Sequence, residues 1–593
     1  MCGIGGMLGQ PDRAVLQRMN SLQQHRGPDA TDVWMNEHAG FAHARLAIVD
    51  IDSSEQPMHS GQGVVLIANC EIYNYRLLRK QSPNYPFATM GDSEAILALH
   101  AKATANVHRP LSAQDHAAWI SELDGMYAFA LWDDNHNQLL LARDPMGIKP
   151  LSRTQIENSL LFASEVKAFH ADERYHPRLD ELALAARLIW EYPLDATTLL
   201  ADVHQIRPGT VEVWSVDQHG AAFLLDVAHV ERQHLSPTET WDATLDAPAL
   251  LESFITSVEQ RLMAEVPVGI VLSGGLDSSL VCAVAHEAAQ RADQPVPECW
   301  TVAENEENPD WKAAELVASH LGLTHHQHVL EEDAFQKHLP KLVWHGEDLD
   351  VTVMFFQPLF EHMSSHVKVG LCGQGADEMH GGYPRYGDLH AYREQLSQRQ
   401  RDIPPIHKQA LSEGNLDASQ GWYSPKHDPV DRCRDLKSLL EFELEHGQLS
   451  NFQLRLVDRH SMAHSLEVRV PFLGRAHRQL SHRLPMDWKR STLMEEKAAL
   501  RRAADLTALP KEIVRRPKLP AGKATAPTML HSFLEQYSAP IETLLERYSA
   551  WRPALEHQRE LALGLGLFES LHLHSDGHAK SHRTLDALLD EVI

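Results

Sequence analysis

The residues best suited to chemistry stand in one stretch, residues 266–279, which reads VPVGIVLSGGLDSS. Its apolar, β-branched first half predicts a strand buried in a parallel sheet, and residues 280–289 have the composition of a helix. Two glycines between them suit an ordinary strand-turn-helix, but they also let N–H groups meet phosphate at a helix N-terminus. The predicted phosphate turn holds Ser273, Gly274, Gly275, Asp277, Ser278 and Ser279. No lysine follows the glycines, which excludes the G-x-x-x-x-G-K-[ST] loop.

A second strand, predicted at residues 367–371, leads into a glycine-rich acidic turn, CGQGADE at residues 372–378. Asp277 and Asp377 supply hard oxygen ligands, and two carboxylates would balance Mg²⁺ bound to pyrophosphate. Glu378 stands where the G-x-G-x-x-G motif has its third glycine, so a dinucleotide-binding motif is excluded.

A third candidate is Cys2, which directly follows the initiator methionine. Its small size would permit removal of Met1, which leaves Cys2 with a free α-amine. Such an amine, with an ordinary pKa of about 8, can act as the base that activates its own thiol. A cysteine at this position by chance is the alternative, so the assignment depends on the motifs that follow.

These candidates require two bodies to position them. Further strands of the parallel sheet are predicted at residues 299–302, and residues 311–321 are predicted to form a helix. Residues 125–133 and 138–142 have the composition of buried strands, and the polar turn between them predicts a hairpin. We expect a first domain at residues 1–215, a linker at 216–247 and a second domain at 248–593.

Composition restricts the partners of the 593-residue chain. Lysine and arginine number 54 against 81 acidic residues, and the net charge of −27 gives no basic surface for nucleic acid or an anionic membrane. Six scattered cysteines favour a reducing cytoplasm over a disulfide framework. No apolar run of about 18 residues occurs, so we expect neither secretion nor membrane spanning. Small molecules are the expected partners.

Four motifs follow Cys2 in order: HRGPD at 25–29, HARLAIVD at 43–50, NCEIYN at 69–74 and DSE at 92–94. Together with Cys2 they resemble the glutaminase domain of class II amidotransferases, an N-terminal-nucleophile hydrolase. The resemblance implies an αββα sandwich in which Cys2 attacks the amide of glutamine. It also implies a glutamine-binding set of Arg45, Leu46, Ala47, Ile48, Val49, Asn69, Cys70, Glu71 and Asp92.

Within that set, the oxyanion formed by attack needs preorganised donors, which the resemblance assigns to the Asn69 side chain and the N–H of Cys70. Arg45 offers a planar fork for the α-carboxylate of glutamine, with a surface ion pair as the alternative. Glu71 and Asp92 are acceptors suited to the amide nitrogen and the α-ammonium group of glutamine. For Asp92 the alternative is a helix N-cap. The family usually has glycine at position 70, and a positive φ there would cost about 1–2 kcal/mol for Cys70.

The VLSGGLDSS string at 271–279 resembles the pyrophosphate-binding loop of N-type ATP pyrophosphatases and the synthetase half of the asparagine synthetase family. The resemblance implies a parallel α/β domain with additional helices that cleaves ATP between its α- and β-phosphates. Lys497, in KAALR at 497–501, would neutralise charge on the α-phosphate. Beyond the phosphate turn, the implied ATP-binding residues are Leu272 and Val302, which hold adenine through backbone groups, and Cys372 and Gly373.

Two positions depart from the aspartate-amidating pattern. Gln374 stands where a glutamate linked to acyl-adenylate formation is common, and a glutamine side chain cannot act as a base. Phe355 stands where many relatives have an arginine, a residue that can bind the second carboxylate of aspartate. Both changes weaken the case for aspartate specifically.

The resemblance implies a glutamine-dependent, AMP-forming amidotransferase with ATP and Mg²⁺. Cys2 would release ammonia, which would cross a shielded tunnel and displace AMP from an activated carboxylate, with aspartate the commonest acceptor in the family. Three alternatives stay open: another biosynthetic carboxylic acid, an adenylating ligase that closes a lactam or peptide ring, and a non-catalytic glutamine sensor. A homodimer is also left open.

Overall fold

The computed structural model describes residues 2–413, 432–490, 495–519, 524–574 and 576–593, and these form two compact units. Of the described residues, the first unit holds 2–180 and 195–233, and the second holds the remainder. The domain boundaries expected at residues 215 and 248 stay a prediction. Within the described ranges, no helix combines the length and the apolar character that crossing a bilayer requires.

The first unit is built on two six-stranded antiparallel sheets. Its strands are β1 (Cys2–Leu8), β2 (Ala30–Met35), β3 (Ala39–Arg45), β4 (Met58–His59), β5 (Val64–Ile72), β6 (Gly125–Asp133), β7 (Gln138–Arg143), β8 (Ser152–Ile156), β9 (Ser159–Ala163), β10 (Val203–Gln205), β11 (Thr210–Val216) and β12 (Ala222–His229). One sheet has the order β10-β8-β9-β1-β3-β2, and the other β12-β11-β7-β6-β5-β4. The predicted hairpin is β6–β7, paired from Asp133 and Gln138 onward.

An apolar core joins the two sheets, because alternate side chains of β1, β5, β6 and β9 point inward. Its buried members include Ile4, Ile67, Ala130 and Phe162. The helices lie outside: α1 (Arg13–Gln23) packs on β1 and β3, while α3 (Glu94–Thr104) and α4 (Ala113–Ile120) pack on the other sheet. The remaining helical segments of this unit are α2 (Tyr75–Gln81) and the 3₁₀ turns Gln24–Arg26 and Val166–Ala171. This arrangement is the predicted αββα sandwich.

The second unit is built on a five-stranded parallel sheet with the order β15-β14-β13-β16-β17. Its strands are β13 (Val268–Val271), β14 (Glu298–Ala303), β15 (His325–Val329), β16 (Val369–Leu371) and β17 (Glu467–Arg469). The predicted helix after the glycines is α7 (Leu276–Ala292), which begins four residues before the expected position because Gly275 serves as its N-cap. Asp277, Ser278 and Ser279 therefore lie in its first turn. The predicted helix at residues 311–321 is α8 (Pro309–Leu321).

Further helices surround this sheet and confirm the predicted α/β domain with additional helices. In chain order they are α5 (Glu181–Trp190), α6 (Ala243–Arg261), α9 (Ala334–Gly346), α10 (Phe356–Ser364), α11 (Ala376–His380), α12 (Leu389–Asp402), α13 (Pro405–Glu413), α14 (Leu436–His446), α15 (Leu454–Met462), α16 (Arg475–Arg483), α17 (Met486–Lys489), α18 (Ala498–Ala504), α19 (Lys511–Val514), α20 (Pro527–Gln536), α21 (Ser538–Arg547), α22 (Arg552–Leu555), α23 (Arg559–His572), α24 (Gly577–Lys580) and α25 (Leu585–Val592). Shorter helical turns are Pro384–Gly387, Gln448–Gln453 and Pro471–Leu473.

Candidate functional site

Cys2 begins the central strand β1 of the first sheet and is 7% exposed. Its backbone N–H donates to Oδ1 of Asn69 at 3.1 Å, and Asn69 lies in β5 of the opposite sheet. On the other side, Arg26 Nε donates to the Cys2 carbonyl at 3.2 Å. Two side chains from outside β1 therefore fix the backbone of the predicted nucleophile.

The Asn69 amide is oriented by its contact with Cys2. Asn69 is fully buried, and while Oδ1 accepts from Cys2, Nδ2 has no hydrogen-bond partner in the described part of the chain. A buried donor without a partner costs about 1–3 kcal/mol, so this nitrogen favours a ligand oxygen beside Cys2. An oxyanion is such a ligand.

A buried ion network holds Arg26 in place. Arg26 Nη1 lies 2.8 Å from Glu165 Oε1, His25 Nε2 lies 2.9 Å from Glu165 Oε2, and Lys167 also pairs with this carboxylate. Burial alone would raise the pKa of Glu165, but its contacts with Lys167, His25 and Arg26 hold it well below its ordinary range. The ionised Glu165 therefore fixes Arg26, and Arg26 fixes Cys2.

Arg45 ends β3 beside Cys2 and is 8% exposed. Its guanidinium donates to the carbonyls of Asp50 (2.7 Å) and Ile51 (2.8 Å), so the surface ion pair weighed as an alternative is wrong. Of the next predicted residues, Leu46, Ala47 and Ile48 are buried and Val49 is half-buried. The N–H of Ala47 donates to Asp29 Oδ2 at 2.7 Å, which ties this segment to the HRGPD motif.

Cys70 lies within β5 and its φ is not positive. The backbone strain that a positive φ would cause at this position is therefore absent. Burial, and after it the nearby Asp92 carboxylate, raises the pKa of the Cys70 thiol well above its ordinary value. Cys70 therefore stays protonated at neutral pH. Asp92 Oδ2 accepts from the N–H of Ile72 at 2.7 Å, and Ser93, not Asp92, precedes helix α3.

In the second unit, the parallel strands β13, β14 and β16 bring their carboxyl-end turns to one edge of the sheet. Gly274 has φ +68°, which glycine adopts without strain, and a Cβ on Gly373 would lie 2.8 Å from Cβ of Asp277. The two turns therefore approach each other closely. A cavity of about 130 Å³ at this edge is lined by Leu272, Ser273, Asp277, Ser278, Val302, Cys372, Gly373, Gln374 and Asp377, among others.

Some predicted ATP-binding groups are already engaged. The N–H of Leu272 donates to the Trp300 carbonyl at 2.9 Å, and its carbonyl accepts from Thr301 Oγ1 at 2.6 Å. Ser279 is fully buried inside α7 and does not line the cavity. Ser278 Oγ accepts from the N–H of Ser273 at 3.1 Å, which closes the turn.

Asp277 and Asp377 meet at a shared lysine. Lys497 Nζ lies 2.6 Å from an oxygen of each, and Lys518 Nζ lies 2.7 Å from Asp377 and 3.8 Å from Asp277. Burial alone would raise the pKa of Asp377, but the two lysines lower it to about 2. Asp377 is therefore ionised at neutral pH.

This cluster fits Mg²⁺. Its two carboxylates already converge on one cation, the Lys497 ammonium, and Mg²⁺ in proteins is typically held by one or two carboxylates together with substrate phosphates. The roles of Asp277 and Asp377 as metal ligands stay a prediction.

Lys518 was not predicted from the sequence. It lines a crevice beside the phosphate turn together with Lys497, Arg501 and Arg516, and Arg516 pairs with Asp310 at 2.7 Å. The signal was the basic segment RRPK at residues 515–518, which by composition alone is typical of a solvated surface.

Glu378, whose side chain excludes the dinucleotide-binding motif, has unusual chemistry. It is 1% exposed and accepts from Tyr383 Oη at 2.7 Å. Burial, and after it the neighbouring Asp377 charge, raises the pKa of Glu378 to about 7. Gln374, four residues earlier, donates to Gln453 Oε1 at 2.6 Å.

Comparisons with known proteins agree on one family. The model described as asparagine synthase matches residues 249–560, and that of a glutamine amidotransferase domain matches residues 1–223. The asparagine synthetase (glutamine-hydrolyzing) 1 of Bacillus subtilis (strain 168) is 27% identical, covering 88% of this chain and 86% of its own. Asparagine synthetase B of Escherichia coli (strain K12) is 30% identical over 71% and 72%, and a putative asparagine synthetase of Mycobacterium bovis is 31% identical over 87% and 85%. The chain belongs to the glutamine-hydrolysing asparagine synthetase family.

Proposed function

We propose that this protein is a glutamine-dependent ligase that uses ATP to convert a carboxylic acid into its amide, with AMP and pyrophosphate as products. One observation carries the proposal. A single chain contains both a buried cysteine held against an amide with an unused donor and a carboxylate–lysine cluster at the phosphate turn of a parallel sheet.

In the first unit, Cys2 Sγ would attack the glutamine amide carbon and release ammonia. The negative charge that develops on the amide oxygen would be stabilised by Asn69 Nδ2 and the N–H of Cys70. Arg45, with the segment 46–49, and the acceptors Glu71 and Asp92 would hold the α-carboxylate and the polar ends of glutamine. A water molecule would then cleave the thioester and give glutamate.

In the second unit, a carboxylate oxygen of the acceptor would attack the α-phosphorus of ATP, and the bond to pyrophosphate would break. Mg²⁺ held by Asp277 and Asp377 would neutralise the departing pyrophosphate. Lys497 and Lys518 would exchange their carboxylate contacts for phosphate oxygens. Ammonia would then attack the acyl carbon, the C–O bond to AMP would break, and one proton would pass to solvent.

The identity of the carboxylic acid that is amidated has two candidates. The names of the relatives make aspartate the first candidate, with asparagine as product. A second candidate is another biosynthetic carboxylic acid, which is favoured by the large cavity beside Gln374. A ring-forming ligase needs no ammonia, and the buried Asn69 donor beside Cys2 argues against it. No disulfide joins any of the six cysteines, all of which lie in the described residues, and this suits the reducing cytoplasm that we propose as the location.

The experiment is product analysis with ATP, Mg²⁺, an acceptor and either glutamine or ammonium chloride. We expect AMP, pyrophosphate and, with glutamine, glutamate. Cys2→Ala should abolish glutamine-dependent turnover but preserve ammonia-dependent turnover, whereas Cys433→Ala, a buried cysteine outside both sites, should preserve both. Formation of ADP, or loss of both activities in Cys2→Ala alone, would contradict the proposal.

A further inference from the structure

The cavity of about 130 Å³ at the phosphate turn is called the nucleotide cavity below. A second, much larger cavity adjoins it within the second unit. It measures about 730 Å³, and Gln374, Asp377 and Lys518 line both cavities. A carboxylate that attacks the α-phosphorus must approach it from outside the nucleotide cavity, and the larger cavity is the space that adjoins it. Its volume falls in the range of cavities that enclose drug-sized ligands and far exceeds what one aspartate occupies.

The wall of this cavity is largely aromatic and aliphatic. Two phenylalanines, Phe355 and Phe356, lie 4.7 Å apart between ring centroids at the side shared with the nucleotide cavity. Other elements also contribute apolar side chains to the wall. Among them are Leu530 and Leu534, which are half-buried and lie one turn apart on α20. The apolar lining residues are Val353, Phe355, Phe356, Tyr383, Tyr392, Phe452, Leu456, Leu530 and Leu534. Such a wall binds apolar surface and offers little to a small polar acid.

The charged groups of the wall oppose a second carboxylate. Among the described lining residues the cations are Arg385 and Lys518, and both are engaged. Arg385 pairs with both oxygens of Glu443 at 2.9 and 3.1 Å, and its guanidinium carbon lies 4.1 Å from the Tyr383 ring centroid. Lys518 pairs with Asp377.

Besides Asp377, four carboxylates line the cavity, and they add repulsion. They are Glu191, Asp350, Asp388 and Glu560. Glu191 is compensated by Arg399 at 3.0 Å, while Asp350 accepts from Thr352 and Asp388 from the N–H of Ala391. A second carboxylate on the acceptor would lie against this group of acidic side chains.

We propose that the acceptor is a monocarboxylic acid whose body is aromatic or branched apolar and larger than the side chain of aspartate. The inference rests on the proposed function, since it assigns the large cavity to the acid that is adenylated. The carboxylate lies at Gln374, which lines both cavities, and the body packs on the Phe355–Phe356 side and against α20.

The test is isothermal titration with Mg²⁺ and α,β-methylene-ATP, which cannot be cleaved between its α- and β-phosphates. The probes are aspartate, phenylacetate, 3-phenylpropanoate and 4-phenylbutanoate. We expect 3-phenylpropanoate or 4-phenylbutanoate to bind at least 10-fold more tightly than aspartate. Equal or tighter binding of aspartate, or no binding of the aryl acids, would overturn the inference.

A pair of variants on α20 locates the binding. Leu530→Glu places a charge in the apolar wall at a half-buried position and should weaken the aryl acids at least 5-fold. Ser532→Glu adds the same charge on the exposed side of the same helix and should leave them unchanged. Equal effects of the two substitutions would place the aryl acids elsewhere and refute the assignment.

The outcomes separate this inference from the proposed function. If aspartate binds more tightly and is amidated with release of AMP, the proposed function stands and the inference fails. If the aryl acids bind but no acid yields AMP with either nitrogen donor, the proposed function fails while the binding assignment stands.

Discussion

Replacing Asn69 by aspartate tests the assignment of the oxyanion donor. Aspartate has nearly the same shape and retains the oxygen that accepts from the Cys2 N–H at 3.1 Å, but it lacks the Nδ2 donor that has no partner in the described chain. Loss of one such donor typically lowers kcat by about 10²–10³, equivalent to about 2.7–4 kcal/mol. The added negative charge opposes the oxyanion further, so we expect a loss of at least about 10³ in glutamine-dependent turnover.

The assay measures glutamate release in the presence of ATP, Mg²⁺ and acceptor, with AMP formation from ammonium chloride as the internal reference. Ammonia-dependent AMP formation should stay within about twofold of the parent protein. Asn135→Asp makes the same chemical change in the exposed β6–β7 turn and should alter neither rate. Glutamate release within threefold of the parent protein, or an equal loss of both activities, would refute the assignment.

Three further predictions concern the second unit. Lys518→Met removes a half-buried cation beside the phosphates and should lower ammonia-dependent AMP formation at least about 100-fold, whereas Lys518→Arg keeps the charge and should lower it much less. Equal losses in steady-state kinetics would contradict this. The pKa of Glu378 is about 7 in the folded protein and near 4.5 in the unfolded chain. As the pH rises from about 4.5 to about 7, ionisation of Glu378 should therefore lower the free energy of unfolding by about 3 kcal/mol. Glu378→Gln should remove that fall in urea titrations at pH 5 and 8, and an unchanged pH dependence would contradict the buried carboxyl. Asp348 pairs with Arg187 at 2.8 Å and Arg455 at 2.5 Å, so Asp348→Ala should lower the free energy of unfolding by about 3–5 kcal/mol, whereas a loss below 1 kcal/mol would show that the pairs are solvated.

The parts of the fold that the sequence predicts are those set by local patterns. The apolar run before Gly274 predicts β13, and the polar turn between two apolar runs predicts the β6–β7 hairpin. Both are predictable because a buried strand requires apolar side chains at alternate or consecutive positions, and this pattern is visible in the sequence. The start of α7 is missed by four residues because its N-cap is Gly275, which has no side-chain signal.

The site residues that the sequence does not reveal depend on distant contacts. Lys518 reaches Asp377 from a segment more than a hundred residues away in the chain, and nothing local distinguishes it from a surface lysine. The raised pKa of Glu378 arises from its burial, which only the packing around it creates. For Cys70 the family pattern suggested strain, yet the residue is an ordinary member of β5, where a side chain is tolerated.

The most direct test of the account is the stoichiometry of one reaction mixture that contains the protein, ATP, Mg²⁺, glutamine and a panel of carboxylic acids tested singly. We expect equal amounts of AMP, pyrophosphate, glutamate and amide, formed only with an accepted acid. Formation of ADP, or of AMP at a rate that no acid changes, would contradict it.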